Sequence, residues 1–149
     1  MNFTETPETV TFPETHYVFV ERIGPFAKNA PAAWGEAHSL VPALSEHNRI
    51  TGYMSLYKME SEVYRAGFAL SGPPRELPQG LHYEKFHGGK YGRFVLTGPY
   101  TQLPEASGRA WNAAGSLPIR DDFAIENYVN DPRVTPEDQL LTEIMLPLA

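Results

Sequence analysis

In the stretch Phe123-Ala-Ile-Glu-Asn-Tyr-Val-Asn-Asp-Pro132, a glutamate and a tyrosine stand two residues apart, Glu126 and Tyr128. On an extended strand that spacing puts both on one face. Ala124, Glu126, Tyr128 and Asn130 then point one way, and Phe123, Ile125, Asn127 and Val129 the other. A glutamate so placed either faces water, as strand carboxylates usually do, or stands in a concavity lined by aromatic rings. In a concavity its chemistry changes. A buried carboxylate is costly unless paired, so it favours a cation, and each ring facing that cation adds ~0.5–2 kcal/mol. Desolvation also raises the carboxyl pKa, which suits a general acid or base.

The other chemically capable residues are weighed against plainer roles. Trp34 and Trp111 fall on predicted helices that must cover a sheet, and aromatic residues at helical spacing usually pack into a core. Trp111 is the better candidate for a cavity wall, because it shares the second half of the chain with Glu126. Phe19 and Tyr57 are strand aromatics able to line a cavity. Tyr17 and Tyr91 recur at equivalent positions, which implies a shared structural role. The five histidines (16, 38, 47, 82 and 87) form no ligand pattern, and with no cysteine a metal site is not expected. Gly88-Gly89 precedes a predicted strand rather than a helix, so it reads as a hairpin turn and not a phosphate cradle. No serine lies in a Gly-x-Ser-x-Gly context, and Glu137-Asp138 reads as a solvated loop. No cofactor is expected.

The chain has 149 residues, 12 Lys+Arg against 18 Asp+Glu, and a net charge of −6. That length is enough for one domain with a real core, and a single domain over residues 1–149 is the expectation. The acidic balance, with no Lys/Arg run, argues against direct nucleic-acid binding. Zero cysteines remove disulfides, thiolate metal sites and a Cys nucleophile. The polar, acidic start is unlike a signal peptide, and no apolar run approaches the ~20 residues of a membrane helix. A soluble, cytoplasmic protein is expected.

The elements that must position these residues are repeated. Tyr17-Val-Phe-Val-Glu-Arg-Ile-Gly-Pro-Phe26 returns as Tyr91-Gly-Arg-Phe-Val-Leu-Thr-Gly-Pro-Tyr100. Each copy is followed by a polar stretch, a proline (Pro31, Pro104) and an Ala-rich segment holding one tryptophan. Two halves result, about 8–74 and 80–149, joined by the Pro-rich stretch from Gly72 to Pro78. Strands are predicted at 17–23, 52–58 and 64–71, then at 81–86, 90–97, 123–129 and 140–146. One helix is predicted from Pro31 through Leu44, shortened or kinked by Pro42, and another over about 104–114. The fold class is α+β: a duplicated β-α-β-β motif in mainly antiparallel sheet with two helices. One half buries too little alone, so the halves are expected to share a core about a pseudo-twofold axis, with a ligand cavity between them.

Gly88-Gly-Lys-Tyr91, Thr97-Gly-Pro-Tyr100 and Ile125-Glu-Asn-Tyr-Val-Asn-Asp-Pro132, in this order, resemble the gyrase-inhibitor-like small-molecule-binding family. This is the effector-binding domain of AraC- and MerR-type regulators. The resemblance covers about residues 10–148, and Arg22-Ile-Gly-Pro-Phe26 resembles that family's opening strand and turn. It implies that Glu126 lies in an aromatic-walled cavity and pairs with lipophilic cations, with Tyr128 beside it. Two departures stand out. The hairpin from Tyr57 to Tyr64 is shorter than the family's Asp-Pro-containing loop, and Gly67 stands near where the family often carries an acidic residue. The favoured expectation is a binding module for a small lipophilic, cationic aromatic ligand, Glu126, Tyr128, Trp111, Phe19 and Tyr57 forming the site. It senses or sequesters the compound without a DNA-binding head, so any transcriptional effect needs a protein partner. The resemblance also implies two alternatives. One is a hydrolase opening cyclopropane-containing electrophiles, with Glu126 as general base. The other is a gyrase-inhibitor-like modulator acting by protein contact.

Overall fold

The two Gly-Pro turns are built alike. Gly24 and Gly98 have φ of 132° and 150°, a region that side chains rarely adopt. Each amide closes onto a carbonyl, Gly24 to Glu62 at 3.0 Å and Gly98 to Leu140 at 2.8 Å. The proline that follows each glycine cannot extend the ladder, and a helical turn begins directly after it.

A computed structural model describes all residues from Met1 to Ala149. The strands are β1 (Asn2–Phe3), β2 (Glu8–Phe12), β3 (Thr15–Ile23), β4 (Ile50–Lys58), β5 (Val63–Leu70), β6 (His82–Phe86), β7 (Gly89–Thr97), β8 (Ala124–Tyr128) and β9 (Leu141–Pro147). The helices are α1 (Phe26–Ser39), α2 (Val41–Ser45) and α3 (Leu103–Ala113). Within each of the two units these strands form, every pairing is antiparallel. This is the α+β duplicated motif expected from the repeat. No helix is long and apolar enough to cross a membrane.

The two compact units are Pro13–Gly88, and Met1–Phe12 with Gly89–Ala149. In the first, β3 pairs with β5 and β6, and β5 with β4. In the second, β7 pairs with β1, β2 and β9, and β9 with β8. Strands β2 and β6 start at equivalent repeat positions, Glu8 and His82, and each is hydrogen-bonded in the unit built mainly from the other half. Gly88-Gly89 is therefore not a hairpin turn, because the strand before it pairs with β3 and the strand after it with β2 and β9. Its positive φ values, 69° and 123°, turn the chain out of one unit and into the next.

The helix expected from Pro31 to Leu44 starts five residues earlier and divides at Leu40. Pro25 caps α1, Pro31 sits inside it, and Pro42 falls in the first turn of the separate α2. Helix α3 lies within a residue of the expected boundaries and follows a 3-10 turn at Tyr100–Gln102. Strands β1 and β2 are additions to the sequence reading. In β2 the half-buried Val10 and Phe12 alternate with the exposed Thr9 and Thr11, too short a pattern to separate from a polar terminus.

Tyr17 and Tyr91 share one architectural task. Both are fully buried, and burial raises both phenol pKa values, keeping the hydroxyls neutral donors. Tyr17 reaches over β5 to donate to the Met54 carbonyl on β4 at 2.9 Å. Tyr91 donates to the Phe123 carbonyl, just before β8, at 3.0 Å. An arginine lies over or beside each: Arg120 over the Tyr91 ring at 5.1 Å, and Arg65 over Phe19, the ring stacked on Tyr17.

Candidate functional site

Strand β8 carries the candidate carboxylate because its register on β9 is fixed by burial. Ile125 pairs with Met145, Glu126 with Ile144, and Tyr128 with Thr142. Ile125 and Met145, on the face opposite Glu126, are essentially inaccessible, so a one-residue slip would carry Glu126 onto that buried apolar face. Glu126, Tyr128, Thr142 and Ile144 share a face, continued on β7 by Phe94 and Leu96.

Glu126 keeps some accessible surface, yet desolvation is the largest influence on its carboxyl and raises the pKa above the ordinary 4.5. Its carboxylate is thus neither sealed from solvent nor freely hydrated. Its hydrogen-bond partner is the Tyr128 hydroxyl, which donates to Oε1 at 2.9 Å and opposes that rise. Tyr100, from the turn leading into α3, packs edge-on against Tyr128 with centroids 5.4 Å apart. The Tyr100 phenol pKa is also raised, first by burial and then by the charge of Asp131. The result is a carboxylate, a phenol bonded to it and a second phenol ring against the first. Such a group can accept a cation, or hold and release a proton above the usual carboxylate range. No three His, Asp or Glu side chains converge to hold a metal ion.

The first half builds the same positions differently. By strand register, Ser55 on β4 corresponds to Glu126 and Tyr57 to Tyr128. Phe26, the repeat counterpart of Tyr100, packs edge-on against Tyr57 at 5.7 Å, as Tyr100 does against Tyr128. Ser55 is fully buried, and its hydroxyl lies 2.7 Å from the Tyr64 hydroxyl. Trp34 Nε1 donates to both, at 3.1 and 2.9 Å. Where the second half has a carboxylate, the first has a hydroxyl enclosed in a hydrogen-bonded triangle.

The residues singled out in sequence thus divide. Glu126 and Tyr128 come together. Phe19 and Tyr57 are both buried but occupy opposite faces of the β3-β5-β4 sheet: Phe19 shares the face of Tyr17 and Gly67, while Tyr57 shares that of Ser55 and Tyr64. They cannot line one wall. Trp34 belongs to the core triangle, and Trp111 is half-buried on α3, one residue past the buried Ala110. Sequence reasoning passed over Tyr100, although its offset from Phe26 was visible. It also passed over Thr142, which is fully buried with an Oγ1 that has no hydrogen-bond partner.

A family model, the GyrI-like small-molecule-binding domain, matches residues 5–149. No curated protein sequence matches significantly. Among solved structures, the C-terminal domain of EcmrR superposes with a TM-score of 0.75 at 14% identity, over 99% of this chain and 98% of that one. In the EcmrR–DNA complex this chain corresponds to 57% of the EcmrR chain. SAV2435 bound to tetraphenylphosphonium matches at a TM-score of 0.66 and 12% identity, over 96% of this chain and 93% of that one. A hydrolase from Listeria innocua matches at 0.61 and 11%, over 98% and 93%. At such identities the structural likeness is one of fold, whereas the family match spans nearly the whole sequence. The chain therefore belongs to the GyrI-like small-molecule-binding domain family.

Proposed function

We propose that this protein binds a lipophilic cation, with the Glu126 carboxylate as counter-charge and the Tyr128 and Tyr100 rings as cation–π walls. The observation that carries this reading is the state of Glu126: desolvated, partly accessible, and bonded only to one phenol. A cation entering beside it restores the solvation that folding removed, so charge and burial act together. The tetraphenylphosphonium held by the similarly folded SAV2435 supports the ligand class. Titration of a fluorescent lipophilic cation into wild type and Glu126→Gln at fixed salt tests it. The variant is expected to lose on the order of 1–3 kcal/mol of binding free energy. Equal affinities would remove Glu126 from the site.

A second reading, hydrolysis of a strained electrophile, is favoured by one feature: a carboxyl whose pKa is raised and which lies 2.9 Å from a phenol. Glu126 would take a proton from water as its oxygen attacks the ring carbon, and a tyrosine hydroxyl would steady the charge left by the opening bond. Turnover separates the readings. A binder protects an alkylatable target stoichiometrically, whereas an enzyme consumes a molar excess of the electrophile.

A further inference from the structure

Six of the eight arginines are held by carboxylates: Arg22 by Glu36, Arg65 by Glu21 and Glu84, Arg93 by Glu8 and Glu143, Arg109 by Glu105, Arg120 by Asp122, and Arg133 by Asp131. The two without an acidic partner, Arg49 and Arg75, line the same recess, of about 530 Å³. In a chain of net charge −6, two exposed arginines with no carboxylate partner thus line one recess.

The recess is formed by the segment entering β4 and the segment leaving β5, and side-chain and backbone bonds fix both. Asn48 Oδ1 accepts from the Arg75 amide at 2.8 Å. Its Nδ2 donates to the Arg75 carbonyl at 2.8 Å and to the Leu44 carbonyl at 3.1 Å. The Ser71 amide donates to the Arg49 carbonyl at 3.1 Å, and Pro73-Pro74 stiffens the wall between Ser71 and Arg75. No Asp or Glu lines the recess. The acids flanking it in sequence, Glu46 and Glu76, approach His47 Nε2 instead, at 3.9 and 2.8 Å. The Ser71 hydroxyl makes no hydrogen bond and adds a third unused donor.

We propose that this recess binds a small oxyanion, a phosphate or carboxylate group, between the guanidiniums of Arg49 and Arg75. A guanidinium is a planar fork whose paired N–H donors match the oxygens of either group. The Asn48 clamp holds the backbones that carry the two forks, so binding orders side chains alone. The site is opposite in charge to Glu126 and independent of it. The protein has a cation-seeking position on β8 and an anion-seeking one at the β4–β5 end of the other unit.

Amide shifts of the full-length ¹⁵N-labelled chain should be followed while inorganic phosphate, and separately acetate, is added at constant ionic strength. Saturable shifts confined to residues 47–49 and 71–75 are expected. Arg49→Gln and Arg75→Gln should each weaken binding roughly threefold to tenfold, and the double variant should abolish it. Saturation by phosphate alone assigns a phosphate group, and saturation by acetate as well assigns carboxylates too. Shifts that grow linearly, or saturation that survives in the double variant, overturn the proposal. Neither guanidinium is bonded within the fold, so unchanged spectra elsewhere should report intact variants. Should the double variant fail to fold, the single variants decide the matter by the same criterion.

Discussion

Tyr128 donates its hydroxyl to Glu126 Oε1 at 2.9 Å, and it is the only hydrogen-bond partner this carboxylate has. The two residues stand on one face of β8, two positions apart, so the strand itself sets the geometry. Burial pushes the Glu126 pKa up and the phenol pulls it partly back. The position of that balance decides whether the site presents a charge.

Tyr128→Phe removes the opposing influence and leaves the ring that packs against Tyr100. The Glu126 pKa should then rise further, because the charged form loses its one donor. Carbon-detected NMR of labelled glutamate side chains reads this directly. A higher midpoint in the variant is expected, and an unchanged one would mean the phenol does not hold the carboxylate in solution.

The same pKa has a consequence for stability. Glu126 is raised in the folded state, so the native protein holds this proton more tightly than the unfolded chain. Stability from this group is full below the ordinary glutamate pKa of 4.5 and is lost as pH rises through the folded value. Glu126→Gln should therefore stabilise the protein at neutral pH, with the advantage fading as pH falls toward about 4. Cation affinity should show the converse, rising with pH through the same midpoint. Urea denaturation across that range measures the first effect. A stability difference between the two proteins that is flat in pH would contradict the raised pKa.

Thr142 pairs with Tyr128 across the strands, is fully buried, and has an Oγ1 without a partner. A buried hydroxyl left unmade costs roughly 1–3 kcal/mol. Thr142→Val keeps the shape and removes that penalty, so the free protein should gain about 1 kcal/mol in chemical denaturation. A loss of similar size would show instead that the hydroxyl finds a partner in solution.

How much of this was legible in the sequence depends on what each residue needed from distant parts of the chain. Gly24 and Gly98 could be read because a Gly-Pro turn after a strand is a local necessity, and the offset between Tyr17 and Tyr91 exposed the repeat. The pairing of Glu126 with Tyr128 followed from strand parity alone. Opposite faces for Phe19 and Tyr57 did not follow, because that depends on how β3 and β4 register on the strand between them, which no local pattern states. The start of α1 was missed because Pro31 looks like a helix opener. Pro25 already held that role, and the helix accommodates a second proline. Strand β2 was missed for a related reason: its five residues gain order only through pairing with β7.

Gly67 gives the most stringent test of the arrangement. Tyr17 crosses β5 above it to reach Met54, so a Cβ at position 67 would clash with the Val18 carbonyl oxygen and meet Phe19 Cβ and Tyr17 Cζ, each at 2.8 Å. A backbone carbonyl cannot move aside as a flexible side chain can, so Gly67→Ala should destabilise by about 3 kcal/mol or more. Gly35, inside α1 with nothing within 4 Å of where a Cβ would stand, is the control. There the same substitution should stabilise by about 0.5–1 kcal/mol through helix propensity. Thermal denaturation of both variants checks the pair, and equal effects would mean Tyr17 does not lie over β5. The contrast bears on function as well. The resemblance places an acidic residue near position 67, but with Tyr17 overhead no side chain fits there. On the proposed reading, selectivity for cations is therefore expected to depend on Glu126 alone, so a single neutral substitution there should remove it.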